Sequence, residues 1–125
     1  MKYLLDSNIL IALGLDANEA VIARVAECDA DDLVTSAIAF AEVVHGSARG
    51  KPPPLEQLAI MAEEIPVLAF EESAARAYAL ISFKRASYDR LIAAHALALG
   101  LTVITDNEDD YADVPGLKVE NWAVS

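Results

Sequence analysis

Seven acidic residues stand where a chain could gather them. Asp6 follows the apolar Tyr3-Leu4-Leu5, and Glu42 lies within VTSAIAFAEVVHG. Asp89 opens the Ala- and Leu-rich stretch 88–99, and Asp106, Glu108, Asp109 and Asp110 follow LTVIT. Carboxylates brought together repel, and some stay protonated unless a cation joins them. Oxygen ligands without clustered His or Cys favour magnesium or manganese over zinc. Such an ion lowers the pKa of bound water and stabilises charge on a phosphate, and a pair roughly 4 Å apart can serve both attacking and leaving oxygens. Each acid also has a plainer use. Asp6 can cap a helix, Asp89 can answer a helix dipole, Glu42 can face solvent, and 106–110 can be a solvated loop. Spacing alone leaves both accounts open.

The elements that must position these acids can be read from periodicity. Residues 2–6 form a short apolar strand, and Asp6-Ser7-Asn8 supplies capping residues for a helix through Ile9, Leu10, Ile11 and Leu13. Val21, Ile22 and Val25 place a helix over 17–28, and Leu33-Val34-Thr35 predicts a second strand. Ser36 caps a helix that carries Glu42 and stops near Gly46. Pro52-Pro53-Pro54 marks a rigid loop within one domain spanning 1–125. A helix through Leu55, Leu58, Ala59 and Ala62 precedes a strand at Val67-Leu68, and a further helix is predicted over 72–83. The helix over 88–99 closes at Gly100, strand 101–105 follows, and 118–122 alternates like an edge strand. Strands alternating with helices imply a mainly parallel sheet covered on both faces. In such sheets ligands sit beyond the carboxyl ends of the strands, where several of the acids fall.

Composition narrows the setting. At 125 residues and 55% hydrophobic, the chain can bury a core unaided. Cys28 is the only cysteine, which excludes an intramolecular disulfide and a cysteine-rich zinc site. No secretory signal and no apolar run near the ~20 residues of a membrane span is present, so a soluble cytoplasmic protein is expected. Nine Lys and Arg against 20 Asp and Glu give a net charge of −11, adverse to non-specific nucleic-acid binding and suited to a cation or a basic partner.

Three segments carry a family resemblance. MKYLLDSNIL (1–10), VTSAIAFAEVVHG (34–46) and YDRLIAAHALALGLTVITDN (88–107) with VPGLKVENW (114–122) resemble, in order, the motifs of PIN-domain ribonucleases, especially VapC-type toxins of toxin–antitoxin pairs. The resemblance implies a three-layer α/β/α fold with a central parallel sheet, and Mg2+- or Mn2+-dependent RNA cleavage by an activated water. It implies Asp6 and Asp89 as metal ligands, with Glu42 completing the acidic core as ligand or water positioner. Ser7, Asn8 and Thr105 are implied as groups that orient the carboxylates. Where the family often has an acid two residues after the threonine, this chain has Asn107; Asp110 before Tyr111 fits a family variant, and Asp106 competes for the place. Lys84 and Arg85 lie near the site in sequence and are candidate phosphate contacts, with helix-end cations as the plainer account. The partners implied are RNA, a small cognate antitoxin, and a second copy in a homodimer that enlarges with antitoxin.

Two other classes predict different residues. A receiver-type signalling domain wants an acid beside Asp6 and a lysine after the last core strand, where Ser7-Asn8 and acids stand. A haloacid-dehalogenase-like phosphatase wants an Asp at the place of Asn8. An inactive PIN-like binding module is compatible with Asn107 and the compact 79–89 segment, but Asp6, Glu42 and Asp89 speak against it. His45 and His95 are read as structural, Cys28 as a packing residue and Trp122 as a packing anchor; Arg49 and Lys51 are read as surface cations able to touch RNA.

Overall fold

Short apolar segments flanked by capping residues become strands, and longer 3.6-periodic ones become helices. The computed structural model describes residues 1–81 and 87–124. Its strands are β1 (Tyr3–Leu5), β2 (Leu33–Ser36), β3 (Val67–Leu68), β4 (Thr102–Ile104) and β5 (Lys118–Glu120). All pair in parallel, in the order β3-β2-β1-β4-β5. The central strands are covered on both faces: Leu4, Leu5, Val103 and Ile104 are fully buried, as their unbroken apolar sequence requires.

The helices are α1 (Ser7–Gly14), α2 (Glu19–Glu27), α3 (Ala37–Ala48), α4 (Leu55–Glu64), α5 (Glu72–Tyr78) and α6 (Tyr88–Leu99). Side chains start four of them. Asp6, Asn18, Ser36 and Ser87 accept from the N–H groups of Ile9, Val21, Ile38 and Arg90, satisfying donors that the helix cannot. Gly100, at φ 68°, closes α6 in the left-handed conformation expected of it. Contacts join α1 with α2, α3 and α4, and α5 with α6. Right-handed crossovers put the first four on one face of the sheet and the last two on the other, giving the three-layer α/β/α arrangement.

Two expectations need correction. The helix read over 72–83 ends at Tyr78, because Leu80 N–H and Ile81 N–H bond back to Ala77 and Tyr78 at 3.0 and 3.2 Å, a tighter turn that terminates the helix. Leu80 is thereby turned outward, 80% exposed, while Ile81 returns to the core. Residues 82–86, with Lys84 and Arg85, lie outside the described residues. The helix read over 17–28 is also trimmed, since Asn18 is its cap and Cys28 is already extended.

Two packing details complete the frame. Trp122 is buried, edge-on to Tyr3 with ring centroids 4.9 Å apart, and the Arg24 guanidinium lies 4.9 Å from its ring, so it anchors the chain beyond β5 as expected. The proline loop folds inward: Pro53 is buried, and the Ser47 hydroxyl donates to its carbonyl.

The strand order fixes where a ligand can enter. The chain passes from β1 outward to β2 and β3, then crosses back to β4 on the other side of β1. Between β1 and β4 the connections leave in opposite directions, which opens a crevice beyond the carboxyl ends of those two strands. Asp6 follows β1 and Thr105-Asp106 follow β4.

Candidate functional site

Asp6 sits at the floor of that crevice, only 4% exposed. One carboxylate oxygen caps α1 by accepting from Ile9 N–H at 3.1 Å, so the helix-cap reading holds as well. The Thr105 hydroxyl donates to the same carboxylate and accepts from Asn107 N–H at 3.0 Å. The Asp6 pKa is raised to about 7: burial is the largest cause, these donors oppose it, and the charges of Asp106 and Asp89 add to it.

Glu42 reaches the crevice from α3 and Asp89 from the first turn of α6. Burial and the Asp89 charge raise the Glu42 pKa, against a hydrogen bond from Ser7. Its Oε1 is buried without a partner. Asp89 is raised by burial, by the charge of Asp110 and by a hydrogen bond with that carboxyl, while the Tyr111 hydroxyl lowers it. Asp89 is thus the common neighbour: its charge is felt at Asp6, at Glu42 and at Tyr111, and it feels Asp110.

The remaining predicted positions divide. Asp110, in the 3-10 turn Glu108–Tyr111, joins the Asp89 side. Asp106 joins the Asp6 side, is exposed, and accepts from Asn8 Nδ2 at 3.3 Å. Ser7, Asn8 and Thr105 each hydrogen-bond an acid. Asn107 contributes its backbone N–H, and its exposed side chain makes no cap. Glu108 and Asp109 are exposed on the same turn.

Sequence reading missed Tyr111 as a site residue. It is 1% exposed, with its hydroxyl 3.4 Å from Asp89 Oδ1. Burial and the surrounding acids push its pKa far up, so it remains a donor. The available signal was the acid–aromatic pair Asp110-Tyr111. His95 is structural, as read, and it does have a partner: its Nδ1 lies 2.9 Å from the hydroxyl of Ser36, the cap of the helix that carries Glu42. Burial lowers the His95 pKa, which keeps the ring neutral.

The donor chemistry of the crevice suits a hard divalent cation: the acids supply only oxygens, burial resists their ionisation, and one Glu42 oxygen has no partner. The acids meet in pairs. Among the described residues no three Asp, Glu, His or Cys side chains close on a common point.

Comparison with known proteins agrees with this frame. The tRNA(fMet)-specific endonuclease VapC of Shigella flexneri is 26% identical over 133 residues, covering 98% of this chain and 99% of that protein. A chain in the crystal structure of DNA-bound VapBC from Salmonella typhimurium superposes with a TM-score of 0.82 at 26% identity, covering 98% of each. A chain in the structure of VapBC2 from Rickettsia felis, bound to a promoter DNA fragment, shares the fold with a TM-score of 0.86 at 23% identity, over 98% of this chain and 99% of that one. The family model for the PIN domain matches residues 3–117, and the chain belongs to that family.

Proposed function

We propose that this protein is a Mg2+- or Mn2+-dependent endoribonuclease, the toxin of a toxin–antitoxin pair. The observation that carries the reading is that Asp89 on α6 is the electrostatic neighbour of both Asp6, at the end of β1, and Glu42 on α3, with all three carboxyls raised by burial. The similarity to VapC endonucleases and to VapBC complexes supports both the activity and the partner.

Asp6, Asp89 and Glu42 would hold the metal. When bound, the ion supplies an acidified water and charge stabilisation at the scissile phosphate. The chain's own residues have separate tasks. Thr105 and the start of α1 hold the Asp6 carboxylate in one orientation. Ser7 orients Glu42, whose unpartnered oxygen is the free acceptor for a proton or ligand. Tyr111 donates to Asp89 and lowers its pKa, favouring the ionised form. Asp110, coupled to Asp89, is the fourth acid of choice, and Asp106 serves the Asp6 side with Asn8. The net charge of −11 fits an antitoxin that offers a cationic segment to the crevice. A homodimer acting in the cytoplasm completes the proposed assembly. Among the described residues no helix is long and apolar enough to cross a membrane.

The test is inducible expression in a bacterium, wild type beside Asp89→Asn, with new RNA 5′ ends sequenced. Growth arrest with discrete cuts in the wild type alone is expected. Soluble wild type that neither arrests growth nor cuts favours an inactive binding module.

A further inference from the structure

Among the described residues, Tyr88 is the one aromatic beside the acids that has no visible use in folding. It occupies the first position of α6, where an aromatic side chain adds little helix propensity, and it is 60% exposed. Across from it lie Ala41, Glu42 and His45 of α3, and among the described residues these and Tyr88 line a cleft of about 390 Å³. Glu42 and the residue after Tyr88 both belong to the acidic site, so the cleft opens directly from it.

Glu42, His45 and Arg49 recur at helical spacing and share one face of α3, reaching about 10 Å along its axis. Arg49 Nη1 lies 3.1 Å from His45 Nδ1 and 3.1 Å from the His45 carbonyl. A guanidinium only donates, so Nδ1 accepts and Nε2 is left as the ring's own donor. Both bonds of Arg49 go to uncharged acceptors. Arg24, Arg76 and Arg90 instead meet Glu120, Glu72 and Asp113. In a chain of net charge −11, an arginine without a carboxylate partner among the described residues, two turns along α3 from Glu42, is a local exception.

An aromatic face and a ring donor on one cleft, with a cation against the ring donor, are what single-stranded nucleic acid binds: bases stack on the ring and a phosphate meets the guanidinium. Building on the ribonuclease reading above, we propose that Tyr88 and His45 wall a subsite for one unpaired RNA base next to the scissile phosphate, with Arg49 on a neighbouring phosphate. The stacked base sets the register of the strand against Asp6, Glu42 and Asp89.

The experiment takes its RNA from the cell. Once cuts are mapped, a fluorescein-labelled single-stranded RNA spanning one cut is titrated into full-length protein in the Asp6→Asn background. A series with a single abasic nucleotide at each position around the cut accompanies it. Tyr88→Ala is expected to weaken binding about 5- to 150-fold, the range of one lost stacked base, and Tyr88→Trp to restore it. One abasic position is expected to weaken the protein that keeps Tyr88 and to leave the Tyr88→Ala variant unchanged. Equal binding with and without the Tyr88→Ala substitution, at matching thermal melts, overturns the subsite, as does a loss that persists at every abasic position. A wild type that cuts no RNA in cells instead overturns the ribonuclease reading, and the subsite with it.

Discussion

Asp6 makes the metal-free protein lose stability as the solution becomes less acidic. The residue is 4% exposed, and burial above all pushes its pKa up to about 7 from the ordinary 3.8. Between those values the folded chain keeps a proton that the unfolded chain has released. Stability therefore falls as pH rises through this window and levels off above it. From pH 5 to pH 8 the loss attributable to this group is about 2–3 kcal/mol, or about 10 °C in melting temperature for a chain of this size. Asp6→Asn removes the ionisation, keeps the shape, and retains a residue that caps helices well. In chelator-containing buffer, circular-dichroism melts of the two proteins are expected to diverge as pH rises from 5 to 8. Over that range the stability of the Asn variant relative to the wild type is expected to grow by that amount. Subtracting one protein from the other cancels the titration of the other acids to first order. A difference that stays constant from pH 5 to pH 8, or one that shifts in favour of the wild type, refutes the claim that an unneutralised buried carboxylate burdens this fold.

Three further outcomes follow from the geometry. At pH 8, Mn2+ or Mg2+ at a hundredfold excess over its dissociation constant is expected to stabilise the wild type by about 2.7 kcal/mol, and Asp89→Asn by clearly less; equal shifts in thermal melts count against the assigned ligands. Tyr111→Phe deletes the donor that lowers the Asp89 pKa, so the acid limb of the cleavage–pH profile is expected to move to higher pH, and an unmoved limb removes Tyr111 from the site. Gly14→Ala places a methyl 2.8 Å from Pro53 Cγ and 3.1 Å from Met61 Sδ, and is expected to cost about 1–3 kcal/mol in denaturant unfolding, with no cost if the proline loop simply gives way.

What could be read in the sequence was what is local. Short apolar runs bounded by Asp6-Ser7, Ser36 and Gly100 announce both an element and its end, because capping chemistry acts within one turn. The carboxyl-end rule then brought Asp6, Glu42 and Asp89 to one edge without distances. Where the outcome depended on contacts distant in sequence, the reading stopped. His95 was read as structural, but the hydroxyl it meets could not be named because Ser36 is 59 residues away. Tyr111 was passed over because its value lies in the 3-10 turn that folds it back on α6, and no periodicity marks such a turn. The end of α5 was misplaced because Leu80 and Ile81 continue an apolar pattern that the backbone abandons.

The site is organised by neutral donors. Thr105 serves Asp6, Ser7 serves Glu42, Tyr111 serves Asp89, and Asn8 serves Asp106. Each of these donors comes from a different point in the chain from the acid it holds, so the carboxylates are aimed by the fold, with only Asp6 also held by its own segment through Ile9 N–H. Hydrogen bonds of this kind favour the ionised form, yet for all three inner acids burial outweighs them and the pKa remains raised. Lys or Arg in their place would settle the charge and fill the crevice. Hydroxyls and an amide orient without neutralising, which leaves the charge to be met from outside. In the proposed reaction a divalent cation meets it, and a basic side chain of a partner would meet the same demand without supplying a reactive water. On that proposal activation and inhibition would be two answers to one electrostatic deficit, and Asp89, the neighbour of Asp6, Glu42 and Asp110, is where the two would compete.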